Sequence, residues 1–306
     1  MRFIVTGGAG FIGSNLTREL YQRYPGCKIT VVDDFSSASF KNLQDYPGDI
    51  IAKPCEEMDW DYYFGPLEVD KVFHLASITD TTVEDQRQMV ERNVESMRRI
   101  MRYCVKSGAK LVYASSGATY GQADGVMRES QPPAPANVYG FSKMVLDNIA
   151  RDAVQVCGAT VLGVRYFNVY GPREAHKGKM ASMVHQLYLQ MKRGENPRVF
   201  RDGQHKRDFV YVKDAVNGTI LAGESENSGV YNIGSGTAVS FNDVIGELNK
   251  ALGTSLTAEY IDNPFEAFYQ HHTEADLTNS TVSIKYEPDW MPDRGIADYV
   301  AWLEQQ

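Results

Sequence analysis

The chain has 306 residues, of which 43% are hydrophobic and 23% charged, as expected for a globular protein with one large domain or a domain plus a smaller lobe. Its net charge of −8 gives no sign of a basic surface for nucleic acid, and we expect no nucleic-acid partner. No apolar stretch approaches about 18 residues, so we expect no membrane span. The cysteines are too widely spaced for a metal site, and we expect none. Because a glycine motif begins at residue 7, we expect no signal peptide and a cytoplasmic location.

The first candidate element is a short strand over residues 3–6, which runs into a glycine-rich turn and then a helical pattern. Gly7 permits a tight turn, Gly10 lets backbone amides approach a phosphate, and Gly13 lets the helix pack close to the strand. Asp33 ends the next candidate strand, twenty residues after Gly13, where it would accept hydrogen bonds from ribose hydroxyls. This order of strand, turn, helix and acid predicts a site for a nicotinamide dinucleotide.

Apolar strand patterns alternate with helical patterns through the first half of the chain. We predict strands over residues 3–6, 29–33, 50–53, 71–75, 110–114 and 161–166. We predict helices over residues 83–106, 138–156, 180–192, 212–222, 241–252 and 296–304. The alternation predicts an α/β fold, a Rossmann-type doubly wound parallel sheet with helices on both faces. We assign the dinucleotide-binding domain to residues 1–172 and a smaller C-terminal substrate-binding lobe mainly to 173–306, with a return to the sheet near 209–225.

Tyr139 and Lys143 lie four residues apart in a predicted helix, and therefore on one helix face. A lysine charge about 4 Å from the tyrosine hydroxyl would favour tyrosinate by roughly 4 kcal/mol, so we expect a lowered pKa for Tyr139. The spacing alone is weak evidence, because it also occurs at Tyr24 and Lys28 and at Tyr188 and Lys192. Ser116 distinguishes the first pair, because it follows a predicted strand upstream and its hydroxyl can pass a proton to the tyrosine.

Several motifs occur together with this set: the Thr-Gly-Gly-x-Gly-Phe-Ile-Gly start, His74-Leu75-Ala76 and residues 207–212. With them the chain resembles, over nearly its whole length, the extended short-chain dehydrogenase/reductase superfamily, whose members use a tightly held nicotinamide cofactor to epimerise, dehydrate or reduce nucleotide-linked sugars. The resemblance implies that Tyr139 is the acid/base, that Lys143 also holds the nicotinamide ribose and that Ser116 positions the reacting hydroxyl. The predicted cofactor-binding residues are Gly7, Gly10, Phe11, Ile12, Gly13, Asp33, Asp34, Leu75, Ala76, Asn93, Tyr139 and Lys143.

Dehydratases of this superfamily usually carry a Thr-Asp-Glu run where this chain reads Ser116-Gly117-Ala118, so epimerisation or plain reduction remains. Residues 165–182, with a histidine-lysine-glycine step before Met-Ala-Ser, are similar to the ADP-glyceromanno-heptose 6-epimerase family. That resemblance implies inversion of C6″ of ADP-D-glycero-D-manno-heptose to the L-glycero form through a transient ketone, with Lys177 as a second base. The alternative is a UDP- or GDP-sugar 4-epimerase that uses the same serine, tyrosine and lysine. A non-catalytic cofactor sensor would not need that set.

The expected partner is a small-molecule nucleotide sugar, which needs cations for its diphosphate and polar or aromatic groups for the sugar and base. The predicted substrate-binding residues are Thr81, Ser116, Asn168, Arg173, His176, Arg207 and Tyr269. The adjacent acids Asp33 and Asp34 would repel a 2′-phosphate, which favours NAD, although loop serines with Lys41 leave NADP open. Relatives often pair through the helices predicted over 83–106 and 138–156, so we expect a homo-oligomer.

Overall fold

A seven-stranded parallel sheet forms the centre of the computed structural model, within the residues that it describes (1–65, 67–80, 85–123, 125–264 and 270–306). The strands along the chain are β1 (Arg2–Thr6), β2 (Lys28–Val32), β3 (Asp49–Ile51), β4 (Lys71–His74), β5 (Lys110–Ser116), β6 (Gly125–Met127), β7 (Val161–Tyr166), β8 (Asn168–Tyr170), β9 (Arg198–Phe200), β10 (Lys206–Tyr211), β11 (Gly229–Ile233), β12 (Ala238–Ser240), β13 (Glu259–Ile261) and β14 (His272–Ala275). The large sheet has the order β11-β7-β5-β4-β1-β2-β3, and its pairs are parallel. From β1 the next strands in the chain, β2 and β3, are added on one side, and β4 and β5 are added on the other. A ligand crevice is expected where this order reverses, at the carboxyl ends of β1 and β4.

Helices cover both faces of this sheet. They are α1 (Phe11–Arg23), α2 (Trp60–Phe64), α3 (Gln86–Ser107), α4 (Val138–Cys157), α5 (Met183–Lys192), α6 (Val212–Glu224), α7 (Phe241–Leu252), α8 (Thr278–Ile284) and α9 (Pro292–Leu303). Successive strand residues point to opposite faces, so Phe3 packs in the core formed with α1 and α6, whereas Ile4 packs in the core formed with α3 and α4. The predicted Rossmann-type fold is therefore confirmed. None of the helices in the described ranges has both the length and the apolar character needed to cross a membrane.

Helix boundaries follow from local capping. Helix α3 begins at Gln86 because the Asp85 carboxylate accepts a hydrogen bond from the Gln88 amide at 2.9 Å. Residues 83 and 84, where we predicted this helix to start, lie outside the described residues. Helix α5 begins at Met183 rather than near residue 180, because the Ser182 hydroxyl accepts the His185 amide at 3.2 Å. Capping side chains thus decide where a periodic pattern becomes a helix.

The return of the chain to the large sheet differs in detail from the expected segment 209–225. Helix α6 packs against α1 and the large sheet, whereas β10 pairs with β8, β12 and β14 in a smaller sheet. The strand that joins the large sheet is β11, which pairs with β7 and lies just beyond the expected segment. The division into 1–172 and 173–306 stays a prediction.

The buried carboxylate of Asp208 connects the two sheets. It lies on β10 and accepts hydrogen bonds from the Ala275 amide on β14 at 3.0 Å, and from the Ser235 amide and hydroxyl at 2.6 and 2.8 Å. The Gly236 amide donates to it as well, at 3.0 Å. Since Ser235 and Gly236 follow β11 directly, one side chain fixes the smaller sheet against the edge of the large one.

A second buried charge lies between α4 and the large sheet. Asp147 on α4 accepts two hydrogen bonds from Arg165 on β7, at 2.8 and 3.2 Å, and one from the Tyr113 hydroxyl at 2.9 Å. The side chains of Arg165 and Asp147 are only 5% and 2% exposed. The Arg165 guanidinium also lies 4.7 Å from the ring centroid of Tyr120. This ion pair therefore fixes the position of α4 on the sheet.

Arg165→Met keeps much of the side-chain volume but leaves the buried Asp147 carboxylate without its countercharge. We expect the free energy of unfolding to fall by about 3–5 kcal/mol. The control is Arg87→Met, because Arg87 is 84% exposed in its pair with Glu91, and exposed pairs contribute only about 0.2–1 kcal/mol. Urea unfolding followed by circular dichroism measures both variants, and equally small losses would contradict the prediction.

Candidate active site

A cavity of about 590 Å³ opens at the carboxyl ends of β1, β4 and β5. This is the crevice expected where the strand order reverses. The predicted residues that line it are Gly7, Gly10, Phe11, Ile12, Gly13, Asp33, Asp34, Leu75, Ala76, Asn93, Ser116, Tyr139, Lys143, His176 and Lys177. The structure thus brings all twelve predicted cofactor-binding residues to one cavity, together with the four predicted catalytic residues.

The glycine turn leaves the start of α1 open to this cavity. Gly7 has a φ of +67°, and a Cβ on it would lie 2.7 Å from the Ala76 amide nitrogen. A Cβ on Gly13 would lie 2.1 Å from the Gly7 carbonyl oxygen, so neither position accepts another residue without a shift of the backbone. Gly10 precedes the helix and has no side chain to cap the first amides. Those amides and the helix dipole remain available to an anionic group, which fits a pyrophosphate.

Asp33 is fixed beside this turn. Its carboxylate accepts hydrogen bonds from the amides of Ala9 and Phe35, each at 2.9 Å. Burial raises the pKa of Asp33, and these backbone hydrogen bonds oppose the rise without cancelling it. A carboxylate held in this way at the end of β2 fits the ribose of a dinucleotide.

Ser116, Tyr139 and Lys143 meet where β5 ends and α4 begins. The Ser116 hydroxyl lies near the Tyr139 side chain and accepts the Ala118 amide at 3.1 Å. The Lys143 ammonium donates to the Ala114 carbonyl at 2.8 Å and lies 5.7 Å from the centroid of the Tyr139 ring. The first turn of α4 is capped by Asn137, whose side chain accepts the Gly140 amide at 2.8 Å. Strand end and helix start therefore place the three groups together, as the sequence predicted.

The expected lowering of the Tyr139 pKa is wrong. Burial raises the pKa of Tyr139, and the nearby Ser116 hydroxyl only partly offsets this. The physical reason is that Lys143 directs its ammonium to a backbone carbonyl below the tyrosine ring. Burial lowers the pKa of Lys143 to about 8, against the opposing effect of the Asp147 charge. The Tyr139 side chain is therefore protonated and neutral at neutral pH in this geometry.

Asn93 joins the wall of the cavity to both helices of that face. Its side-chain oxygen accepts the Ile78 amide at 2.8 Å, and its nitrogen donates to the Ile78 carbonyl at 3.1 Å and the Ser142 hydroxyl at 3.0 Å. The loop after β4 is thereby held to α3 and α4. A buried asparagine with these partners supports the site rather than reacting in it.

Lys177 reaches the cavity from the 3-10 segment Ala175–Met180, whose residues are all at least partly exposed. Its ammonium lies 5.6 Å from the ring centroid of Phe11. Burial lowers the pKa of Lys177, and the charge of Glu174 opposes this. Glu174 is fully buried and accepts the Gly171 amide at 3.0 Å and the Ser182 amide and hydroxyl at 2.5 and 2.8 Å. This carboxylate therefore closes the loop that carries Lys177.

Three predicted substrate-binding residues do not line the cavity. Arg173 has a φ of +73° and donates to the Asn15 side chain on α1 at 2.9 Å. Asn168 is exposed on β8, and Arg207 is buried on β10, where it donates to the Lys206 carbonyl at 2.8 Å. Two further predicted residues, Thr81 and Tyr269, lie outside the described residues. In the described ranges no three His, Cys, Asp or Glu side chains are grouped as metal ligands.

Sequence reasoning missed one group of cavity residues, which includes Arg92, Glu56 and Lys53. Arg92 lies one position before Asn93 on α3, and its guanidinium contacts the carboxylates of Asp34 and Glu56. The only signal in the sequence was its place next to Asn93. The two acids come from separate loops, so spacing along the chain could not reveal the contact.

Comparisons with known proteins agree with this geometry. A family model described as the NAD dependent epimerase/dehydratase family matches residues 3–234. The Helicobacter pylori ADP-L-glycero-D-manno-heptose-6-epimerase is 34% identical, with a TM-score of 0.93 over 100% of this chain and 96% of that chain. The Thermotoga maritima UDP-glucose 4-epimerase, solved with UDP-glucose, is 28% identical, with a TM-score of 0.92 over 100% and 99% of the two chains. The Bacillus cereus UDP-glucuronic acid 4-epimerase, solved with UDP-glucuronic acid and NAD, is 26% identical, with a TM-score of 0.87 over 100% and 99%.

The family match extends from β1 through β11 and so covers every strand of the large sheet. It also covers the glycine turn, the Ser116, Tyr139 and Lys143 set and the segment that carries Lys177. The resemblance to extended short-chain dehydrogenase/reductase epimerases is thus confirmed at the level of the superfamily. On the fold, the cavity and this match, the chain belongs to the NAD dependent epimerase/dehydratase family.

Proposed function

We propose that the chain is a nucleotide-sugar epimerase that inverts C6″ of ADP-D-glycero-D-manno-heptose to the L-glycero form, with NAD as the favoured cofactor. The observation that carries this proposal is that Tyr139 on α4 and Lys177 on the 175–180 segment line the same cavity. Inversion at a carbon outside the ring needs a proton-transfer group on each side of that carbon. The 34% identity with the Helicobacter pylori 6-epimerase, against 28% and 26% for the two 4-epimerases, supports the same choice.

Residues of this cavity suit a nicotinamide dinucleotide. The amides at the start of α1 would hold the pyrophosphate, and Asp33 the adenosine ribose. The resemblance to the superfamily implies that Lys143, at the end of the cavity away from Asp33, would hold the nicotinamide ribose. When bound, the cofactor supplies the acceptor and donor of the hydride.

The proton transfers fall to two side chains. As hydride leaves C6″, one of Tyr139 and Lys177 takes the proton of the C6″ hydroxyl, and a ketone forms at that carbon. The ketone then turns within the cavity. As hydride returns to the opposite face, the other group donates a proton to the oxygen. The neutral Tyr139 is suited to the donating step and Lys177, whose pKa burial lowers, to the accepting step.

A UDP- or GDP-sugar 4-epimerase is the second candidate. Tyr139, with Ser116 beside it and Lys143 beneath its ring, provides one acid/base that could serve both half-reactions. The ketone would then form within the sugar ring, and the sugar would turn over between the two steps. Lys177 has no proton-transfer role in that reaction.

Proton NMR of the purified enzyme with ADP-D-glycero-D-manno-heptose tests the choice of substrate. We expect signals of the L-glycero epimer to appear without added cofactor, because the hydride is returned to the same carbon and the nicotinamide is regenerated in each turnover. UDP-glucose, offered in parallel, should stay unchanged. Conversion of UDP-glucose with no reaction of the heptose would assign the chain to the 4-epimerases.

Lys177→Met tests the second base. We expect the rate of C6″ inversion to fall by about 10²–10⁴, because the proton on one side of the carbon then has no donor or acceptor. Lys179→Met is the matched control, since Lys179 belongs to the same 3-10 segment but is exposed and does not line the cavity. Its rate should change by no more than about twofold. A Lys177→Met enzyme that still inverts C6″ normally would remove this residue from the mechanism.

The stability of Lys143→Met as a function of pH tests the burial of the catalytic lysine. The pKa of Lys143 is about 8 in the folded protein and 10.5 in its ordinary state. At pH values between these two, the lysine binds more protons in the unfolded chain than in the folded one, so the free energy of unfolding of the parent rises with pH. We expect the free energy of unfolding of the parent minus that of the variant to increase by about 2 kcal/mol from about pH 7.5 to about pH 10. Denaturant titrations of the nucleotide-free proteins, with Lys179→Met for comparison, measure it. A difference that stays constant would contradict a buried Lys143.

A further inference from the structure

Arg92, Asp34 and Glu56 form a cluster of charges in the cavity wall that no step of the proposed reaction uses. We propose that this cluster, the arginine triad, selects NAD over NADP because its two carboxylates hold Arg92 away from a 2′-phosphate. The inference rests on the proposed nicotinamide cofactor but not on the identity of the sugar. It assigns to Arg92 and Glu56 a role in cofactor selectivity.

The geometry of the arginine triad is that of one cation between two acids. The Arg92 Nε donates to a Glu56 carboxylate oxygen at 2.6 Å, and Nη2 donates to a carboxylate oxygen of Asp34. The hydroxyl of Ser96, one turn further along α3, donates to the Arg92 carbonyl at 2.6 Å and lies 3.2 Å from the other Glu56 oxygen. The three side chains of the triad are 18–29% exposed, so a ligand in the cavity can reach them. Two of the three guanidinium nitrogens are thus committed to carboxylates.

The triad lies at the adenosine end of the cavity. Asp34 directly follows Asp33, the residue that fits the ribose, and Glu56 comes from the loop after β3. Tyr139 and Lys143 line the cavity from the opposite side of the β1–β4 crevice, after β5 and on α4. A group attached to the ribose 2′ oxygen beside Asp33 would therefore meet the triad rather than the catalytic residues.

The local charges decide against a phosphate at this place. Asp33, Asp34 and Glu56 contribute three negative charges, and Arg92 and Lys53 contribute two positive ones, so this part of the lining carries a net charge of −1. Hydrogen bonds from Ser36 and the Arg92 charge hold the pKa of Asp34 below its ordinary value in spite of burial, so its carboxylate stays ionised at neutral pH. A phosphate monoester adds about −1.5 to −2 at neutral pH, and like charges at contact distance repel. A ribose hydroxyl carries no such charge.

Removing the two carboxylate charges should therefore convert the same arginine into a phosphate ligand. Asp34→Asn with Glu56→Gln keeps the shapes of both side chains and changes the local sum from −1 to +1. Arginine binds phosphate oxygens through two parallel N–H donors, and the two nitrogens that now face carboxylates would become available. Ser36 can still donate to the amide oxygen of an asparagine at position 34.

Titration of NAD⁺ and NADP⁺ into the full-length, nucleotide-free protein by isothermal calorimetry tests the inference without any sugar. The parent should bind NAD⁺ at least about tenfold more tightly than NADP⁺. In the Asp34→Asn/Glu56→Gln variant the ratio of the two dissociation constants should shift toward NADP⁺ by at least about 30-fold. The single variant Glu56→Gln should shift it in the same direction by a smaller factor, and this variant serves if the double variant does not fold.

Two controls separate selectivity from support of the fold. Glu57→Gln changes an exposed neighbour that does not line the cavity, and it should leave the ratio unchanged. Adding Arg92→Met to the double variant should remove the gain for NADP⁺. Equal losses of affinity for both nucleotides would mean that the triad only ties α3 to two loops, and would overturn the inference. A parent that binds neither nucleotide would overturn the cofactor proposal as well, whereas failure to turn over a heptose would leave the measured ratio valid.

Discussion

The close approach of Gly13 to the Gly7 carbonyl is the contact on which the rest of the site depends. A Cβ at position 13 would lie 2.1 Å from that oxygen, so only glycine lets α1 begin directly above the end of β1. This places the open amides of the helix and the carboxylate of Asp33 at one end of the β1–β4 crevice. Parallel pairing outward from β1 then brings the ends of β4 and β5 to the same edge, where Ser116, Tyr139 and Lys143 line the cavity.

The face of the sheet beneath Tyr139 and Lys143 is held by charge as well as by apolar packing. Lys143 and Asp147 lie one turn apart on α4, and Asp147 binds Arg165 on β7. Because the three side chains are almost fully buried, a rotation or slide of α4 would separate charges in a region of low dielectric. The register of α4 against the sheet is therefore tightly determined. Tyr139 is positioned at the end of β5, beside Ser116, by this anchoring one to two turns further along the helix.

Local patterns were sufficient for the sheet, the glycine turn and the Ser116, Tyr139 and Lys143 set, because each depends on residues close in sequence or at helical spacing. Local patterns could not show which of the three tyrosine–lysine pairs lies at the cavity, because all three have the same spacing in the sequence. Tyr188 instead donates to Glu304 at 2.6 Å, in a contact between α5 and the residue after α9. The arginine triad was invisible for the same reason, since it joins α3 to loops 58 and 36 residues earlier. The contact of Arg173 with Asn15 on α1 was equally hidden, because the two residues are far apart in the sequence.

The two proposed proton-transfer groups, Tyr139 and Lys177, are held in place by different kinds of structure. The proposed reaction gives a reason for this difference. Tyr139 belongs to a long helix fixed by a buried ion pair, whereas Lys177 belongs to a short segment with no buried residue, closed by the hydrogen bonds of Glu174. A ketone that must present its second face has to turn between these groups without losing either. In the proposed reaction a rigid wall would fix the position of hydride transfer, and a wall without a buried residue could adjust to the turning sugar at little cost in apolar burial. The Glu174 carboxylate and the hydrogen bonds from Gln186 to the Lys179 and Ala181 carbonyls hold the segment of Lys177 in place without apolar burial.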